Sequence, residues 1–165
     1  MKDLYLNFAA WLDKSLEKGI PDDTAAVCFN LYEDFNKAHT WGAEICFSDK
    51  FDADDESGDW ACGGILLDPM FFWDNDSDWE SAQDRMEHLV KEYLDKGIFS
   101  IKLKALHGVG VGFAEGDLTV VYINNDSTAP IRSYAHYDPE KSEKLIKQKS
   151  DEIMDLILKR INDKK

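Results

Sequence analysis

Apolar residues recur along this chain with two different periods, and the places where the period changes divide it into elements. From Asp3 to Lys18, Leu4, Phe8, Trp11, Leu12 and Leu16 fall at three- and four-residue steps, which stacks them on one helical face. Gly19 supplies a left-handed stop, and Pro21-Asp22-Asp23 opens a loop. The period then drops to two. Ala25, Val27, Phe29 and Leu31 alternate between Thr24 and Tyr32, and after a polar turn Trp41, Ala43, Ile45 and Phe47 alternate again. These two stretches predict the strands of a hairpin. Trp60 to Leu67 predicts a third strand, more uniformly apolar, in which Gly63-Gly64 marks a bulge or bend.

The helical period returns at Ser77-Asp78-Trp79-Glu80, a capping-box pattern in which Ser77 and Glu80 satisfy orphan amides reciprocally. Trp79, Ala82, Met86, Leu89, Val90, Tyr93 and Leu94 then form one stripe, closed by Gly97. Phe99, Ile101, Leu103 and Ala105 alternate with Ser100, Lys102 and Lys104, which predicts a strand whose lysines discourage edge-to-edge pairing. Val109 to Ile123 predicts a hairpin turning at Glu115-Gly116-Asp117. After a loop at 124–135, Asp138-Pro139 starts a last helix toward Asn162, with Ile146, Ile153, Met154, Ile157 and Ile161 on its apolar face. Short connections between most strands make the expected fold α+β. It is a mostly antiparallel sheet of about six strands with N-terminal, central and C-terminal helices packed on it. No repeat or composition shift marks a boundary, so residues 1–165 are expected to form a single domain.

Composition narrows the class. With 44% hydrophobic residues the chain is globular, and no run of about 18 apolar residues suggests a membrane span. The opening MKDLYLNFAAWLDK has no long apolar core or small-residue cleavage site, so it is not expected to be a secretory signal. Cys28, Cys46 and Cys62 are odd in number and lack a CxxC, the usage of reduced, buried thiols; a cytoplasmic location is expected. Net charge is −14, and all of it lies in residues 1–80, with 19 acids against 5 bases, while residues 81–165 hold 14 of each. Such a field repels nucleic acid and anionic membrane and steers basic partners to one side.

The densest stretch is Asp49–Glu80, with eleven carboxylates, one lysine and six large aromatics. Calcium is the first chemistry it invites, because Asp52, Asp54 and Asp74, Asp76 and Asp78 place oxygens at alternate positions. Framed as EF-hands, both fail. The turn glycine is replaced by Ser57 or Trp79, and the bidentate glutamate by Gly63 or Arg85. Asp59 and Asp68 are the acids with apolar neighbours, but nothing pairs them for acid–base work. Cys28 and Cys46 fall at corresponding points of the hairpin strands, without the paired short spacings of a zinc site. None of His39, His88, His107 and His136 has a recognisable catalytic partner pattern. Gly108-Val-Gly110-Val-Gly112 lacks the third glycine and following helix of a phosphate loop; it reads as a strand approached closely by a backbone or large side chain. No catalytic residue, metal or cofactor is therefore assigned.

What remains is the acidic–aromatic stretch as a surface. FDADDESGDW, joined to PMFFWDNDSDW, resembles in overall character the small acidic immunity proteins of bacterial toxin–immunity pairs, including those of contact-dependent growth inhibition. The resemblance implies a non-enzymatic inhibitor paired with a basic, nuclease-like toxin. Asp52, Asp54, Asp55, Glu56, Asp59, Asp74 and Asp76 would stand in for phosphates, and Trp60, Phe72 and Trp73 would anchor the contact. The rival readings are a metal-dependent hydrolase using the same acids, and a homodimer built on Pro69–Trp73, so the chain is expected to be a monomer or homodimer.

Overall fold

The computed structural model describes residues 2–55, 58–61, 64–75, 78–113, 116 and 118–131. Cys62, Gly63, Ser77, Glu115, Asp117, His136 and the last predicted helix lie outside that set. Helix α1 spans Lys2–Leu16. Its predicted face is the buried one: Phe8, Leu12 and Leu16 have no exposed surface. Gly19 follows with φ +93°, the left-handed region that glycine enters without steric cost.

Five strands follow: β1 (Ala26–Glu33), β2 (Thr40–Ser48), β3 (Ile65–Asp74), β4 (Gly108–Phe113) and β5 (Leu118–Ile123). They form one mixed sheet in the order β3-β2-β1-β4-β5. β1 and β2 make the predicted hairpin, and Cys28 sits directly opposite Cys46. The α+β class therefore holds; among the described residues the sheet has five strands where about six were expected, and it is mixed, with three antiparallel pairings and one parallel pairing, β1 with β4. The chain leaves β3 at one edge, crosses through helix α2 (Trp79–Lys96), and re-enters beside β1. That crossover sets β4 parallel to β1, a pairing only a long connection can make.

The missing strand is the stretch Phe99–Ala105, which contains a short helix, α3 (Ser100–Lys104), in place of an edge strand. Alternation over so few residues also fits a helical turn, because Phe99 and Leu103 are four apart. Leu103 is buried and Ile101 is 81% exposed, as one helical turn requires and a half-buried strand forbids. Lys102 consequently lies over the Phe99 ring, 4.5 Å from its centre, and guards no sheet edge.

β3 also departs from expectation. Trp60 belongs to a 3₁₀ turn (Asp59–Ala61), and the strand runs through Pro69–Trp73 instead of ending before it. Between the pairs Ala43–Phe71 and Ile45–Leu67, β3 spends three residues (68–70) where β2 has only Glu44. Pro69 is tolerated in this bulge on an edge strand, where its missing N–H leaves no ladder bond unmade. Its carbonyl accepts from the Trp11 indole at 2.8 Å, tying the edge to α1. At the start of α2 the N-cap is Asp78, whose side chain accepts from the Ser81 amide at 3.0 Å. Trp79, placed in the buried stripe by its spacing, is 48% exposed, its ring edge against Phe113. Gly97 ends α2 at φ −69°, not in the left-handed region. It is glycine because a Cβ there would lie 2.6 Å from the Tyr93 ring.

The sheet has two unequal cores. On one face, Val27, Phe29, Leu31, Ala43, Ile45, Phe47, Phe71, Trp73, Val109 and Val111 pack under α1 and α2. On the other, Ala26, Cys28 and Cys46 are covered by Trp60 and Ala61, with Phe51, Leu118 and Val120 at the border. The Gly-Val-Gly-Val-Gly strand serves both faces. Its valines enter the main core, while Gly108 and Gly110 make room for Phe51 and Trp60. A Cβ on Gly108 would lie 2.0 Å from the Phe51 ring, and one on Gly110 would lie 3.0 Å from Trp60.

Candidate functional site

The acidic segment is continuous in sequence but divided in space. Asp52, Asp54 and Asp59 are exposed and Asp55 half-buried on the loop that carries Trp60 back over the second face. The loop is internally bonded: the Asp54 amide donates to Asp52 Oδ1 at 3.0 Å, the Gly58 amide to the Asp55 carbonyl at 3.2 Å, and the Ser48 hydroxyl to the Trp60 carbonyl. Phe72 and Asp74 emerge at the other end of β2, beside Gly42 and Thr40. The loop leaves β2 after Ser48, so the two groups start roughly 25 Å apart along the strand. Glu56 and Asp76 lie outside the described residues.

The expected anchors separate by burial. Trp60 is 0% and Trp73 4% exposed, each inside a core, so neither can meet an incoming partner without the fold opening. Phe71 is buried likewise, which takes two of the three aromatics out of the Pro69–Trp73 patch expected of a homodimer. Phe72, pointing the other way, is 53% exposed. Of the eight described residues among the ten expected to bind a partner, Phe72 and Asp74 stand together on a part of the sheet that the described residues leave uncovered.

That part is the half of the second face away from Trp60 and Ala61, which cover Ala26, Cys28 and Cys46. Across it, Tyr32 of β1, Gly42 of β2 and Phe72 of β3 form one row in register. Gly42 leaves the middle of the row low. Met70 and Phe72 lean into the space, 2.9 and 3.0 Å from where a Cβ would be. The result is a depression of about 430 Å³ lined by Tyr32, Phe35, Gly42, Glu44, Met70 and Phe72. Phe35, on the β1–β2 turn, is 98% exposed, a position that solvation alone disfavours.

Its charge is of one sign. Glu33, Asp34 and Glu44 are the ionisable carboxylates of the lining, and no lysine or arginine is among them. Glu44 is the β2 residue opposite the β3 bulge, a device that re-aims side chains. The Tyr32 hydroxyl donates to its carboxylate. Burial first, then this hydrogen bond to an anion, push the Tyr32 phenol above its ordinary range, so it stays a donor and holds Glu44 in place. At the rim, Asp74 accepts from Lys37 at 2.6 Å and from Thr40 at 2.8 Å, and these bonds hold its carboxyl below the usual range. Asp74 is therefore engaged within the chain. A second hollow, of about 500 Å³ between the 19–24 loop and α3, gathers one acid (Asp22) and one lysine (Lys102), and so carries no net charge.

Tyr32, Phe35 and Glu44 escaped the sequence reading, although a signal existed. Once Phe29 and Leu31 set the inward phase of β1, Tyr32 falls on the opposite face, as Glu44 does in β2. An aromatic and an acid there, in hairpin register around Gly42, are visible in the alternation. That Phe72 joins them required the extension of β3 through Pro69. Among the described residues no three His, Cys, Asp or Glu side chains gather to hold a metal ion. Cys28 and Cys46 are reduced and buried, Cys46 donating to the Ala61 carbonyl at 3.3 Å. Among the described residues, too, no helix is long and apolar enough to cross a membrane. Comparison with known proteins finds no family model, no curated relative and no solved structure that matches this chain.

Proposed function

We propose that this chain is a non-enzymatic binding protein that holds a basic partner against the open half of its sheet. It would act in the manner of the immunity proteins its acidic–aromatic composition resembles. The observation that carries the reading is the groove over Gly42, with Phe72 and Phe35 exposed and Glu33, Asp34 and Glu44 around them. Exposed aromatics give an incoming surface something to desolvate, and carboxylates of one sign select a cationic one. Asp52, Asp54 and Asp59 extend the field beyond the groove, so their part is steering and not anchoring. A basic toxin domain, whose own groove is built for phosphates, has the matching chemistry.

The test is capture by two baits, the native chain and Phe72→Asp/Glu44→Lys, with bound proteins identified by mass. A stoichiometric basic protein held by the native chain, released by salt and lost from the variant, is the expected result. A partner that is acidic, or that the variant retains, would overturn the assignment of this face.

A further inference from the structure

The shape of the groove goes further than a preference for positive charge. We infer that its centre, between Tyr32 and Phe72 over Gly42, takes a single arginine side chain from the partner, its guanidinium stacked on aromatic rings and paired with Glu44. This rests on the basic-partner reading of the same face and names the group that reading leaves open.

Three features support arginine over lysine. First, the row Tyr32–Gly42–Phe72 sets two aromatic residues two strand spacings apart, about 10 Å, with no side chain of β2 between them. The lean of Phe72 and Met70 over Gly42 narrows that gap to a slot. A flat, weakly hydrated guanidinium enters such a slot, whereas a compact ammonium keeps its water and gains less. Second, Glu44 stands in the slot's lining, held by the Tyr32 hydroxyl through one oxygen. Its other oxygen and remaining lone pairs can accept the paired N–H groups that arginine presents and lysine lacks. Third, among the described residues no lysine or arginine lines the groove to compete there. Lys37, the lysine of the neighbouring β1–β2 turn, is bonded to Asp74 at the rim. Tyr32 in this scheme is a positioning residue for Glu44 as well as one wall.

The probes are a short Gly-Arg repeat peptide and its Gly-Lys twin, titrated into the full chain at matched ionic strength. Amide shifts at Tyr32, Gly42 and Phe72 report the site. The arginine peptide is expected to bind about tenfold more tightly, the ratio that one stacked, bidentate contact of roughly 1.4 kcal/mol supplies. Phe72→Ala and Glu44→Gln should each erase the preference while leaving the far-ultraviolet spectrum unchanged, since neither residue is in the core. Tyr32→Phe, which keeps the ring and releases the carboxylate, should erase part of it. Equal binding of the two peptides at this site would overturn the arginine inference and leave the basic-partner reading standing. Shifts elsewhere, or no binding of either peptide, would overturn both.

Discussion

Trp60 has no exposed surface, and its ring fills a trough made by Gly110 and the Cys28–Cys46 pair. Truncation to Ala should therefore cost about 3–5 kcal/mol, the range for emptying an aromatic site that cannot collapse, read from urea denaturation. A surface anchor would cost far less, so the measurement separates the two roles directly. Gly108→Ala tests the same trough from below. The new methyl would meet the Phe51 ring, and overpacking of this kind costs about 1–3 kcal/mol. The glycines' purpose was legible in advance, because a strict Gly-Val alternation is a strand with one crowded face and one ordinary apolar face. The identity of the crowding groups was not. Phe51 and Trp60 return to that face through an irregular loop, and nothing in loop sequence fixes which side of a sheet it covers.

Helices α1 and α2 meet through Tyr93, whose hydroxyl donates to Asp13 and accepts from the Phe99 amide at 3.3 Å. Burial first, then the bond to the Asp13 carboxylate, push this phenol above its ordinary range, and Tyr32 shifts in the same direction. The sign follows from linkage. Below the unfolded value of 10.0 both states keep the proton and the full contribution is present; above it the unfolded chain ionises first, and stability falls as pH rises toward the folded value. Denaturation midpoints should decline above pH 10, and Tyr93→Phe should start lower but decline less steeply. A decline of equal slope in the variant would remove Tyr93 from the cause. The interhelical bond was beyond sequence, since Asp13 and Tyr93 are far apart in the chain. The faces that bring them together were not, because both helices show their apolar stripes at three- and four-residue steps. Elements were misjudged where a short run satisfied two periods, as at Phe99–Ala105, or where a bulge interrupted the alternation of a strand, as at 68–70, so that the strand was expected to end at Leu67.

At the scale of the molecule, the proposed binding role divides between the net charge of −14 and the groove, which would act on different stages of association. The Trp60 loop leaves β2 after Ser48, roughly 20 Å along the strand from Gly42 beside Phe72 and beyond the Debye length of about 8 Å at physiological salt, so in the proposed reading its acids would attract a partner at a distance without holding it. Phe72 and Glu44 line the groove and, in the proposed reading, would hold what sits there without attracting it from afar. Reversing Asp52, Asp54 and Asp59 to lysine should therefore slow association of a basic partner by about tenfold at low ionic strength, leave dissociation unchanged, and lose its effect as salt is raised. Phe72→Ala should do the converse, quickening dissociation at every salt concentration with little change in association. Stopped-flow mixing with the captured partner, or with the Gly-Arg peptide, measures both rates. If the loop reversals quicken dissociation instead, the acids are part of the contact, and the interface spans the Trp60 loop and the groove together.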